Sequence, residues 1–125
     1  MSSNLKTADL ANLTYSIIYD STLDATPVVD VTQNTGYLYG IVVANTDAND
    51  AGCLKICLSA TTVTVGGNSG TAPDIRIKVP ANTTTRIMIP GGIAFSKLSF
   101  WQTTSPADDS TTSSSSTFAV YLTAT

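Results

Sequence analysis

The groups in this chain that could do chemistry are nine aspartates, two cysteines and many hydroxyls, with no histidine. There is no glutamate either. Paired carboxylates about 5 to 9.5 Å apart are the chemistry of glycoside hydrolysis. The aspartates are Asp9, Asp20, Asp24, Asp30, Asp47, Asp50, Asp74, Asp108 and Asp109. Most fall in turn-rich stretches, where aspartate is expected because its side chain hydrogen-bonds its own backbone. Nothing in their spacing nominates a catalytic pair. Gly67-Asn68-Ser69-Gly70 has the small-residue look of a nucleophile loop. A serine nucleophile needs a base held by a third group, and no histidine exists to supply one. The expectation is therefore a protein that is not an enzyme, with no catalytic residue and no cofactor.

Metal sites are similarly poor. Asp47, Asn49 and Gly52 fit positions 1, 3 and 6 of a calcium loop, but Ala51 and Leu58 occupy ligand positions 5 and 12. An Asx-rich hairpin turn is the better reading. Cys53 and Cys57 alternate onto one face of a strand, about 13 Å apart at ~3.3 Å per residue. That separation excludes a disulfide, and a zinc site lacks its other ligands. Both are expected to be free thiols acting as small core residues.

The elements that must position these groups read as strands. The chain is 42% hydrophobic but only 12% charged, which argues against disorder. Its 125 residues suit one domain. Alternating segments are Tyr15–Tyr19, Tyr37–Ala44, Leu54–Leu58, Ile75–Val79, Thr85–Ile89, Leu98–Gln102 and Phe118–Leu122, with a short one at Val28–Val31 after Pro27. Leu54–Leu58 is expected to continue through Val63 and Val65. Gly40, inside the most apolar run, marks a bulge or a close backbone approach. Gly66–Pro73 reads as a flexible loop, Pro90–Gly92 as a turn, and Thr103–Thr117 as a long polar loop with a mobile tip. The fold class expected is all-β: an antiparallel β-sandwich, jelly-roll-like, of about eight strands. Residues 1–13 form a short N-terminal arm and 14–125 the sandwich domain.

Six basic residues against nine acidic ones leave a net charge of −3. Lys6, Lys55, Arg76, Lys78, Arg86 and Lys97 are scattered, so no nucleic-acid partner is expected. No run approaches the ~18 apolar residues of a spanning helix, and the N-terminus does not read as a secretory signal, so no membrane partner is expected and synthesis in a cytoplasm is. Trp101 beside Phe100, and Tyr37 with Tyr39, place aromatic rings where packing, an interface or a sugar platform could use them. Leu5, Leu10 and Leu13 precede the first strand and have no obvious place in the sandwich. Together with Trp101 they are the candidate partner-interface residues.

One stretch resembles a known family. Ala72-Pro73-Asp74-Ile75-Arg76-Ile77-Lys78-Val79-Pro80-Ala81-Asn82-Thr83-Thr84-Thr85-Arg86 continues through Ile87-Met88-Ile89-Pro90-Gly91-Gly92-Ile93-Ala94-Phe95-Ser96. Together with Tyr37–Asn45 upstream and Leu98–Thr104 downstream it is similar to capsid decoration (cement) proteins of tailed bacteriophages. The resemblance spans about two-thirds of the chain, Tyr37 to Thr104, and lies in turn and strand patterns. It implies a β-sandwich virion protein on the capsid exterior, a homotrimer, whose partner is the major capsid protein between whose subunits it binds. A tail, fibre or head-spike module that binds host-surface glycans is the alternative.

Overall fold

A computed structural model describes residues 15–66, 70–104 and 118–125, and among them there is no helix. Seven strands follow in order: β1 Ser16–Leu23, β2 Gly36–Asn45, β3 Gly52–Cys57, β4 Ile75–Val79, β5 Thr83–Phe95, β6 Ser99–Thr103 and β7 Phe118–Ala124. They form two antiparallel sheets, a four-stranded one ordered β1-β7-β2-β5 and a three-stranded one ordered β4-β3-β6. The expected all-β sandwich is therefore what the chain adopts.

This is the strand order of a jelly roll with one edge strand reduced. The reduced strand belongs beside β6, in the segment between β1 and β2, where sequence alone placed Val28–Val31. That expectation is corrected: only Val28 bridges to Phe100, by reciprocal N–H to carbonyl bonds of 2.9 and 3.0 Å. Pro27 offers no N–H to a ladder, and Asp30 turns the backbone to φ 50°, which ends an extended run. Two other expectations change. The strand at Leu54 stops at Cys57 rather than reaching Val63 and Val65, because Leu58 donates its N–H to the Asp74 carboxylate instead of to a neighbouring strand. Pro90–Gly92 is no reversal; it lies inside the 13-residue β5.

The core sits between the sheets. Period-two alternation sends Leu38, Ile41, Val43, Phe118, Val120 and Leu122 inward from one sheet, and Leu54, Ile56, Ile77 and Phe100 from the other. Each such side chain contributes about 1.5–3 kcal/mol by leaving water. Gly52 opens the space that the Phe118 ring fills, since a Cβ there would stand 2.5 Å from its Cε1.

The two outer faces differ. All residues of β3 and β6 are buried, so these two strands are covered on both sides, while Arg76 and Lys78 of the edge strand β4 stay exposed. The outward row of β3 and β6 includes Lys55 opposite Trp101, 1% and 2% exposed. The four-stranded sheet leaves its outer face open.

Candidate docking face

All five tyrosines of the chain lie on or beside that open face. The pairings build it in rows. Ile17, Thr123, Gly40 and Met88 cross the four strands side by side. The next row is Tyr19, Tyr121, Val42 and Arg86. Beyond it, Ala119, Ala44 and Thr84 align. Neighbours in a row share one face because residues opposite each other in an antiparallel pair project together.

Tyr19 and Tyr121 stack with ring centroids 4.4 Å apart and planes 24° from parallel. A side-chain hydrogen bond with Tyr19 is the chief reason the Tyr121 phenol is held above its ordinary pKa. Across the sheet, Tyr15 meets Tyr39 edge-on at 5.0 Å, and Tyr37 lies 6.3 Å from Tyr39. These rings are not sunk into the core: Tyr19, Tyr37 and Tyr121 are 45%, 48% and 42% exposed, and Met88 is 80% exposed.

A bulge shapes the face into a groove. Gly40 pairs with Met88 and Leu38 pairs with Ile93, so Ile89, Pro90, Gly91 and Gly92 all stand opposite Tyr39. Gly91 and Gly92 take φ of 79° and 76°, the left-handed region that glycine enters at little cost. A Cβ on Gly92 would also lie 2.8 Å from the Tyr39 ring. The raised segment walls a hollow of about 580 Å³ lined by Tyr15, Tyr39, Met88, Ile89, Pro90 and Thr123. A second hollow of about 200 Å³, sharing Tyr39, Met88 and Thr123, runs over Gly40 and Val42 to Arg86. Gly40 is its floor, with no side chain to fill it.

Arg86 is the lone charge in these rows. Among the described residues, no aspartate lies in these rows and no hydrogen bond or ion pair engages Arg86.

Five of the described aspartates are engaged elsewhere. Asp20 accepts the Thr22 N–H, Asp24 the Thr26 N–H and Asp74 the Leu58 N–H. Asp30 faces Lys97 at 3.6 Å. In the calcium-like stretch, one Asp47 carboxylate oxygen accepts the N–H groups of Asn49 and Asp50 at 2.9 and 3.0 Å, so the Asx turn describes it. Among the described residues, no three of His, Cys, Asp and Glu converge as metal ligands. Both thiols are free and buried. Burial raises the pKa of each, assisted at Cys57 by the Asp74 charge.

Of the candidate interface residues, Leu5, Leu10 and Leu13 lie outside the described residues, as do Asp108, Asp109 and most of the polar loop before β7. Trp101 is 2% exposed, on the three-stranded sheet opposite Lys55. Tyr39 lines both hollows of the groove, and the Tyr37 ring lies 6.3 Å from it. The Tyr19–Tyr121 pair and the Gly40–Met88–Arg86 corner escaped sequence reasoning, because they depend on which strands pair and in what register. The alternation of Tyr15, Ile17 and Tyr19 was the visible trace of them.

No family model and no curated protein sequence matches the chain. Among solved structures, it is similar to the coat protein of Tobacco streak virus. The identity is 8%, the match covers 90% of this chain and 86% of that chain, and the TM-score is 0.40. A likeness that distant leaves function to the face itself.

Proposed function

We propose that the protein is a structural component of a virus particle, a decoration protein that docks on the capsid exterior between major capsid subunits and holds them together. The observation that carries this reading is the open tyrosine face. Tyrosine, methionine and arginine, with no aspartate among them, are the side chains that protein interfaces concentrate at the expense of other surface residues. The resemblance over Tyr37–Thr104 supports the same reading from the sequence side. An interface of ~800 Å² per partner would be ordinary. In a homotrimer three such contacts share one axis, and avidity multiplies each.

The test uses expanded capsids that lack the protein. Calorimetry should show their melting temperature rise on adding it, and light scattering should give a trimer in solution. A monomer that leaves the capsid transition unmoved ends the proposal. Deleting residues 2–12 asks whether the arm contributes: lost capsid binding with an intact fold supports it, and unchanged binding refutes it.

Glycan binding is the second reading, because the exposed rings of Tyr19, Tyr37 and Tyr121 would stack on sugars. The lining of the larger hollow opposes it, offering few hydrogen-bonding groups beyond Thr123 and the tyrosines. Reproducible glycan-array binding lost in a Tyr37→Ala variant would favour this second reading over docking.

A further inference from the structure

We propose that the groove recognises an extended protein segment that presents an apolar side chain and a carboxylate two residues apart. The apolar side chain enters the hollow walled by Tyr39, Met88 and Pro90, and the carboxylate pairs with Arg86. This rests on reading the tyrosine face as the docking surface, and it names what that surface selects.

The geometry gives the spacing. Met88 and Arg86 project from the same side of β5, two residues apart, which is about 7 Å along a strand. Two side chains of a bound extended segment, at positions i and i+2, are separated by the same distance. One end of the site is an apolar hollow and the other is a guanidinium. A guanidinium offers carboxylate two parallel N–H bonds, an arrangement lysine cannot reproduce.

Charge decides between occupants. A second copy meeting this face by a two-fold axis near Arg86 would oppose two guanidiniums, and no described aspartate lies in these rows to offset the repulsion. A neutral apolar segment would leave the guanidinium desolvated and unpaired, which is costly. An acidic, apolar segment satisfies both ends of the groove. Neighbouring Val42 and the Tyr121 ring would shield that pair from water and strengthen it.

The experiment measures binding of full-length protein to expanded, undecorated capsids, comparing wild type, Arg86→Glu, Arg86→Lys, Met88→Asp and Lys78→Glu. Lys78 is exposed on the other sheet, so its variant matches the net-charge change of Arg86→Glu away from the groove. Arg86→Glu and Met88→Asp should each weaken binding about tenfold or more. Arg86→Lys should fall between wild type and Arg86→Glu, and Lys78→Glu should bind as wild type does. Wild-type binding should weaken as salt rises from about 50 to 500 mM, and that salt dependence should flatten in Arg86→Glu. Unaltered melting temperatures confirm that the variants fold. Wild-type binding with Arg86→Glu undiminished, or with Lys78→Glu equally impaired, overturns the inference while leaving capsid docking intact. Reversible self-association that Arg86→Glu abolishes would assign the face to a second copy, which also overturns it. Wild type failing to bind capsids at all counts against the docking proposal itself.

Discussion

Placing a side chain at Gly40 separates fold from docking more sharply than any truncation. Gly40 lies mid-strand in β2, between Thr123 and Met88, and its φ is not in the left-handed region. A Cβ there would meet Thr123 Cβ and Oγ1 at 3.7 Å and the Ile87 carbonyl oxygen at 3.8 Å, ordinary contact distances. Alanine therefore fits without displacement. Removing glycine from a strand interior gains about 0.5–1 kcal/mol, because the unfolded chain loses freedom. Valine adds a β-branched preference of similar size. A gain near 1 kcal/mol raises the melting temperature of a domain this size by about 3–5 °C. The same methyls project into the hollow of about 200 Å³ beside Arg86. A segment crossing that hollow to reach Arg86 is pushed away by them, so affinity should fall about tenfold or more. Thermal unfolding of Gly40→Ala and Gly40→Val, with capsid co-sedimentation of both, reads the two effects together. A lowered melting temperature would show that the hollow is packed space; raised stability with undiminished binding would remove Gly40 from the docking surface.

Other outcomes follow from the turns and the thiols. Asn45, 2% exposed, donates to the carbonyls of Asp50, Val79 and Pro80 at 2.9, 3.2 and 3.3 Å and accepts the Asp47 N–H at 3.0 Å. Asn45→Ala strands those groups and should cost about 1–3 kcal/mol in urea unfolding; a loss within error would mean that water replaces the amide freely. Cys53 and Cys57 have raised pKa values, so the folded state prefers the neutral thiol. Their contribution to stability is complete below the ordinary thiol value of 9.0 and is lost as pH rises through the higher folded values. Both should resist a disulfide reagent at pH 8 until urea unfolds the chain, and rapid labelling of native protein would contradict their burial.

Much of the sandwich was legible because period-two alternation survives in each strand. Ile75–Val79 and Phe118–Leu122 show it directly. What sequence could not show was which outward face stays open. The residue types left Trp101 open to packing, an interface or a sugar platform; it lies opposite Lys55 in one row of the three-stranded sheet, and both are buried. The reduced strand failed for a local reason: Val28 and Val29 have strand preference, but Pro27 and Asp30 bracket them too closely for a ladder. The docking corner failed for a non-local one. Gly40, Met88 and Arg86 come together through β2–β5 register, and the bulge at Pro90 shifts that register by an amount no propensity encodes.

That offset at Pro90 also bears on how such proteins diversify. The pairs on either side, Leu38 with Ile93 and Gly40 with Met88, hold the body in place whatever lies between them. The exposed Pro90 at the crest can be exchanged while Ile87 and Phe95 keep their seats. On the docking proposal, adapting to a different partner surface would need changes in the crest alone, a change of lock that leaves the door and its hinges untouched.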